Sequence, residues 1–289
     1  MHPRPSIGII GLGLIGGSAA KAFSQAGYLV RGYDVNDDAM DAAFAEAVIA
    51  NPGGDWREWA EDVDWLLVAT PLAAVGTWLK RWAEAVKRTQ LIIDVSSVKG
   101  VILPSLAALP GHLTPLCLHP MAGRELTGYD ASSPELFRGH VCAVIPVPGR
   151  LGPPPSIVAE ILGVLGMHGY GIDGQSHDQI AAVVSHLPYL VSAALLVTAE
   201  RCGPARKQWE RMTGSGFMDT SRVGSSSADL WQEILAANRQ ALVQVLDEFA
   251  QVLDGWKQDL QAEEPLRGLE QAVTVRRRVL EADTKHGTE

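Results

Sequence analysis

A glycine-rich turn directly after an apolar run near the N-terminus constrains the fold of this chain more than any other feature. Residues 6–18 read SIGIIGLGLIGGS, a predicted strand that leads into a predicted helix. Three glycines form a G-x-G-x-x-G motif between them: Gly11, Gly13 and Gly16. They permit the tight turn, the approach of a pyrophosphate to the backbone and close packing of helix on strand. The amides of Leu14 and Ile15 open the helix, where the dipole favours phosphate. The motif predicts a dinucleotide-binding site.

An acidic residue follows at the distance typical of such a site. Asp34 ends the second predicted strand, where a carboxylate binds the ribose hydroxyls of adenosine. It would repel the extra phosphate of NADP, and the next four residues, VNDD, contain no arginine. We therefore expect NAD as the cofactor. Thr70, directly after the third predicted strand, completes the expected cofactor-binding residues.

The first half of the chain alternates short β runs with helical periodicity. Strands are predicted at 6–10, 29–33, 64–69, 90–95, 116–118, 140–145 and 168–173. Helices are predicted at 14–26, 37–48, 72–86, 99–108 and 156–166. This alternation predicts a parallel sheet with crossover helices on both faces. Residues 146–155 read like a linker, but the helix and strand after them move the expected domain boundary to Gly174.

From Asp178 onward the β signal disappears. Long helices are predicted at 178–201, 228–261 and 264–284, with a Gly- and Ser-rich loop at 214–227. We expect a Rossmann-type, NAD-binding α/β domain over residues 1–174 and an all-α helical domain over residues 175–289. Residues 180–199 are long and apolar enough to span a bilayer. His186, Pro188 and Ser192 interrupt the run, so a helix buried in a helical domain or dimer is the favoured interpretation.

The charge balance excludes one class of partner. With 33 acidic and 24 basic residues, the net charge of −9 disfavours nucleic acid. A site for an acidic substrate must therefore be built from individual Arg, Lys or helix N-termini. The three cysteines form no CxxC pair and have no histidine at metal-ligand spacing, so no metal is expected. Because a strand begins within a few residues of Met1, no signal peptide is expected, and a cytoplasmic location follows.

Three further motifs narrow the reaction. DVSSVK (94–99) and HPMAGRE (119–125) follow successive strands, and GSGFMDTSR (214–222) lies in the expected loop of the helical domain. With GLGLIGGS (11–18) and SHLPYL (185–190), they resemble in order the motifs of the prephenate/arogenate dehydrogenase family. The resemblance implies a homodimer that oxidises a cyclohexadienol with NAD. The ring loses carbon dioxide and becomes aromatic, which makes the reaction one-way.

The resemblance also implies roles for the residues of the first domain. His119 matches the histidine that hydrogen-bonds the ring hydroxyl, which suits an imidazole of near-neutral pKa. Ser97 resembles the serine that contacts the substrate hydroxyl and the nicotinamide, although neighbouring Ser96 is an alternative. Lys99 is either a surface charge or a source of positive potential for substrate binding. Glu125 either gates the pocket or caps a helix.

In the second domain, Arg222 matches the arginine that binds a substrate carboxylate through its bidentate guanidinium. His186 contacts the substrate or supports the core, and the residues leave both alternatives open. Met218 stands where the family commonly has arginine, which puts in doubt any ion pair there. No role is assigned to the remaining histidines, His177 among them.

The expected activity is oxidative decarboxylation of prephenate to 4-hydroxyphenylpyruvate with NAD. Arogenate, which differs by an amino group on the side chain, is the nearest alternative substrate. A hydroxyacid dehydrogenase of similar architecture would have a lysine-centred site instead. A catalytically inert nucleotide-binding regulator is the remaining alternative, and the intact His119, Ser97 and Arg222 count against it.

Overall fold

Seven strands form one sheet in the order β2-β1-β3-β4-β5-β6-β7. The structure is a computed structural model and describes residues 4–202 and 208–286. The strands are β1 (Ile7–Ile10), β2 (Val30–Tyr33), β3 (Trp65–Val68), β4 (Gln90–Asp94), β5 (Leu113–Pro120), β6 (Val141–Ile145) and β7 (His168–Gly171). All seven coincide with predicted strands.

Helices alternate with the strands and then continue alone. The first five are α1 (Leu14–Gln25), α2 (Asp37–Ala45), α3 (Leu72–Ala85), α4 (Leu103–Ala107) and α5 (Pro155–Leu165). The later ones are α6 (Gly174–Ala181), α7 (Leu187–Cys202), α8 (Ser215–Ser221), α9 (Ala228–Ala237), α10 (Arg239–Gln261) and α11 (Leu269–His286). This confirms the predicted order of an α/β dinucleotide-type fold followed by helices.

The sequence predicts a parallel sheet, but the observed sheet is mixed. Strands β1 to β5 run parallel, but β6 pairs antiparallel with β5, with His119 opposite Ala143. The reason lies in the connection: between Pro120 and Val141 the chain forms only a one-turn 3-10 helix. A parallel return usually uses a crossover helix, which this connection lacks, so the chain turns back beside β5 instead.

Apolar side chains cover both faces of the sheet. Successive strand residues point to opposite faces, so Leu67 joins one buried cluster while Leu66 and Val68 join the other. Strands buried on both sides require continuous apolar sequence, which the runs IGII and WLLV supply.

Two predicted details of the helical region are wrong. The expected loop at 214–227 contains α8 and a 3-10 turn, Arg222–Ser225, because Gly214 and Ser215 occupy the start of a helix rather than interrupt one. The expected single helix 228–261 is broken at Asn238, whose φ of −105° and ψ of 25° end α9. A third feature was not foreseen: a π-helical turn, Ala182–His186, joins α6 to α7.

The chain divides into two compact units, one ending at Asn238 and the other beginning at Arg239. The first holds the sheet and the helices through α9. The second consists of α10 and α11, where Trp256 donates to the carbonyl of Arg267 at 2.7 Å. The boundary at Gly174 stays a prediction; in the structure it marks the change from strands to helices.

The long apolar helix is less buried than expected. One helix, Gly174–Arg201, is long and apolar enough to cross a membrane, and only 28% of its most apolar 18-residue window is buried. Its exposed side chains include Ile180, Val183, Val184 and Val197. The single chain therefore leaves much of this apolar face exposed, and its burial in a dimer stays a prediction.

Candidate active site

The glycine motif forms the turn that the sequence predicts. Gly11 has a φ of +92°, a conformation that side-chain-bearing residues avoid. A Cβ at Gly16 would lie 1.8 Å from the carbonyl oxygen of Gly11, so only glycine fits there. A Cβ placed at Gly13 would have no neighbouring atom of the described residues within 4 Å, so the backbone there is accessible to a ligand. Helix α1 starts at Leu14 without a side-chain cap from the described residues, so the amides of Leu14 and Ile15 can bind a pyrophosphate.

Asp34 is held at the end of β2 by two backbone amides. Leu12 donates to its Oδ2 at 2.6 Å and Asn36 donates to its Oδ1 at 2.9 Å. Beside it lies a cavity of about 350 Å³. Its lining residues are Tyr33, Asp34, Val35, Asp37, Met40, Gly53 and Gly54. An acidic cavity at the carboxyl end of β2 fits the adenosine ribose of NAD.

Three hydroxyl side chains, Thr70 after β3 and Ser96 and Ser97 after β4, lie at the same edge of the sheet. The Thr70 Oγ1 is shielded from solvent and has no hydrogen-bond partner in the described part of the chain. Ser96 donates to Asp94 at 3.0 Å and so turns towards the sheet interior. Ser97 is half-buried and forms no side-chain hydrogen bond with the described residues. The geometry favours Ser97 over Ser96 as the serine that faces a ligand.

His119 lies on β5, one strand along from Ser97. Its Nδ1 is 2.8 Å from the Nε2 of His177, on helix α6. The Nδ1 of His177 is in turn 2.8 Å from the Oδ1 of Asp178. Burial and the nearby charge of Lys99 hold the pKa of His119 well below its ordinary value of 6.5. His119 is therefore neutral at neutral pH and available as a proton acceptor.

Lys99 is fully buried, so its interpretation as a surface charge is wrong. Its ammonium donates to Asp94 at 2.7 Å and to the carbonyl of Leu118 at 2.6 Å, and Ser96 lies 3.4 Å away. These three acceptors match its three N–H bonds. The ammonium is thus enclosed by protein groups, and its influence on the site is electrostatic, in line with the alternative of a positive potential.

Arg222 forms an ion pair with Glu125. The arginine side chain is 62% exposed and the glutamate is partly buried. Glu125 therefore contacts the expected substrate-binding arginine and does not cap a helix. Met218 is exposed on α8, and the ion pair forms without the arginine that the family commonly has there.

His186 is 1% exposed and supports the core. Its Nδ1 accepts from the Nδ2 of Asn238 at 3.1 Å, and the same amide donates to the carbonyl of Asp178 at 2.7 Å. Trp231 lies edge-on to its ring and stacks on Tyr189 at 4.0 Å. Burial lowers the pKa of His186 to about 4, so it is neutral. The geometry favours core support over substrate contact.

Sequence reasoning missed His177, Asp178 and Asn238. The contact of His177 with His119 spans 58 residues and that of Asn238 with Asp178 spans 60, so no local pattern links them. The one available signal was a His-Asp pair within the first turns of a helix that follows the last strand.

Comparison with known proteins places these features in a family. The family model described as "Prephenate dehydrogenase, nucleotide-binding domain" matches residues 19–154. The model described as "Prephenate dehydrogenase, dimerization domain" matches residues 173–268. A cyclohexadienyl dehydrogenase from Zymomonas mobilis is 33% identical over 249 residues, which is 84% of each chain.

Solved structures give the same relationship. One is prephenate dehydrogenase from A. aeolicus in complex with hydroxyphenyl propionate and NAD+, with a TM-score of 0.85 and 25% identity over 96% of this chain and 98% of that one. Another is the arogenate dehydrogenase of Synechocystis, with a TM-score of 0.75 and 26% identity over 97% and 99%.

Proposed function

The chain belongs to the prephenate dehydrogenase family, and from that membership we propose that it oxidises prephenate to 4-hydroxyphenylpyruvate with NAD in tyrosine biosynthesis. The observation that carries the proposal is His119, near the end of β5, at the same carboxyl edge of the sheet as Ser97, which follows β4. Bound NAD would supply the acceptor for the hydride of the carbon that bears the ring hydroxyl, and the ring carboxylate would leave as carbon dioxide while its bonding electrons make the ring aromatic. His119 accepts the hydroxyl proton, and Ser97 orients the hydroxyl.

Arg222 supplies the positive group that an acidic substrate requires. In a chain of net charge −9, an individual guanidinium must attract the carboxylate. Because Arg222 is paired with Glu125, the substrate carboxylate takes the place of the glutamate when it binds. The bidentate geometry of guanidinium suits this exchange.

The lysine-centred alternative receives no support from the geometry. Lys99 is the lysine nearest the proposed centre in sequence, and its ammonium is fully buried and bound to Asp94. It cannot serve as the proton acceptor of a hydroxyacid dehydrogenase in this arrangement. Arogenate stays the second candidate substrate, because the Synechocystis neighbour is an arogenate dehydrogenase.

The test of the proposal is NADH formation by the purified chain, with prephenate and arogenate offered separately. Turnover of either supports the family reaction, and the ratio of the two kcat/KM values decides the substrate. If NAD binds but neither compound reduces it, the proposal is wrong.

We further propose that the enzyme acts as a cytoplasmic homodimer. The matched dimerisation region includes the apolar helix whose Ile180, Val183 and Val184 are exposed in the single chain. A second copy of this helix would cover them. Sedimentation analysis should then give twice the mass of 30.9 kDa, and a monomer at micromolar concentration would exclude the dimer.

Cofactor selectivity should follow from Asp34. Its carboxylate would meet the extra phosphate of NADP, and a like-charge contact costs several kcal/mol. We expect kcat/KM for NADP to be lower than that for NAD by about 10²-fold. The variant Asp34→Asn should reduce the difference between the kcat/KM values for NAD and NADP. Equal use of both cofactors by the wild-type chain would contradict the assignment.

Substrate affinity should depend on Arg222. The variant Arg222→Gln is expected to raise KM for prephenate about 10- to 100-fold, since a hydrogen bond to a charged group contributes roughly 1.5–3 kcal/mol. Arg222→Lys should recover only part of the loss, because lysine lacks the bidentate fork. Arg57→Gln removes one exposed charge before β3 and serves as the control. A KM that rises equally in both glutamine variants would indicate a general charge effect.

A further inference from the structure

A continuous chain of hydrogen bonds leads from the backbone to His119. The amides of Lys99 and Gly100 donate to the two carboxylate oxygens of Asp178 at 2.9 and 2.7 Å. Asp178 is 2.8 Å from the Nδ1 of His177, and the Nε2 of His177 is 2.8 Å from the Nδ1 of His119. Asp178 and His177 are 9% and 4% exposed, so water does not compete for these bonds.

The proton positions along this series of hydrogen bonds are assigned starting from Asp178. Burial alone would raise the pKa of Asp178, but hydrogen bonds from His177 and from the two backbone amides hold it below its ordinary value. An ionised carboxylate only accepts, so the Nδ1 of His177 carries a proton. One proton lies between the Nε2 of His177 and the Nδ1 of His119, and we assign it to His119, which therefore donates. This leaves the Nε2 of His119 with a free lone pair.

We propose that His177 and Asp178 are positioning residues that hold His119 in the one tautomer able to accept the hydroxyl proton. Their role in turnover rests on the proposed function, whereas the tautomer itself does not. When the Nε2 of His119 takes the proton, its Nδ1–H stays bonded to His177. The negative charge of Asp178 lies behind that bond and stabilises the new imidazolium. No proton has to leave His119 towards Asp178.

The arrangement also fixes the ring in space. The two imidazoles meet edge to face, with centroids 4.9 Å apart and planes 68° apart. Asp178 is tied in addition through its own carbonyl to Asn238, which holds His186. Helix α6 thus supports the reactive histidine of β5 through side chains rather than through packing alone.

A matched pair of variants tests the contacts of the two ring nitrogens of His177 separately. In His177→Asn the amide can still donate to Asp178 but cannot reach His119. In His177→Gln an amide oxygen can take the place of the Nε2 acceptor. We expect kcat with prephenate to fall about 10²- to 10³-fold in the asparagine variant, with KM for both substrates nearly unchanged. The glutamine variant should recover most of the loss.

The deciding measurement is ¹⁵N NMR of histidine-labelled full-length protein with NAD bound. The signals of His119 are identified by their absence in His119→Asn. In the wild type we expect its Nδ1 to be protonated and its Nε2 not. His177→Asn should mix the two tautomers, and His177→Gln should preserve the native one.

A protonated Nε2 of His119 in the wild type would overturn the proposal, and so would an unaltered tautomer in His177→Asn. Equal losses of kcat in both variants, with equal falls in thermal stability, would also overturn it, because they indicate a purely structural role. Absence of turnover with prephenate would refute the proposed substrate and leave the NMR result standing.

Discussion

Replacing His119 with asparagine is expected to lower kcat with prephenate by about 10²- to 10⁴-fold, the usual contribution of a positioned general base. Asparagine keeps a donor near the Nδ1 position, so the contact with His177 can survive. What is lost is the Nε2 acceptor. NAD binding, followed by titration, should be unchanged, because the glycine turn and Asp34 lie on other strands.

The pH dependence gives an independent check on the same residue. Burial and the charge of Lys99 lower the pKa of His119. The neutral form is the active one, so kcat/KM should stay level as the pH falls through 6.5 and decline only below it. His168→Asn, an exposed histidine on β7, is the control and should behave as wild type. A His119→Asn enzyme with ordinary kcat would exclude the proposed role.

The second large effect is on stability, at Lys99. The variant Lys99→Met leaves the buried Asp94 carboxylate without its cation and the Leu118 carbonyl without its donor. Breaking a buried pair in this way costs about 3–5 kcal/mol of unfolding free energy. Urea unfolding followed by circular dichroism would measure it.

A surface ion pair of similar length gives the control. Arg88 is 2.6 Å from Asp64, but both side chains are about 40% exposed. Arg88→Met should therefore cost only about 0.2–1 kcal/mol. Adding Asp94→Asn to Lys99→Met should recover part of the larger loss, since no unpaired charge is then buried. Similar losses in the two methionine variants would show that burial does not set the strength of the Lys99 pair.

The strands and the cofactor turn could be predicted because their causes are local. Runs such as WLLV and the spacing of Gly11, Gly13 and Gly16 determine their own conformation. The loop expected at 214–227 was wrong because glycine and serine start helices as readily as they interrupt them. The break at Asn238 was missed because its amide serves Asp178 and His186, contacts that only the folded chain makes.

The site was predictable only in part for the same reason. Motifs identify His119 and Arg222, but the sequence left the surroundings of Lys99 and the choice between Ser96 and Ser97 open. The structure shows that Lys99 is buried against Asp94. The hydrogen bond from Ser96 to Asp94 favours Ser97 as the serine that faces a ligand. The support of His119 by His177 spans 58 residues and has no periodicity to reveal it.

The π-helical turn at Ala182–His186 determines how the two histidines of this helix are oriented. His177 and His186 are nine residues apart, which in an unbroken α-helix is roughly 900° of rotation and puts them on opposite sides. A π turn takes up one residue more than an α turn, so the rotation becomes roughly 800° and the two directions differ by only about 80°. Deleting one residue from this turn would therefore rotate His186 by roughly 100° relative to His177 and turn it away from Asn238. The π turn thus sets the direction of every side chain that follows it on this helix.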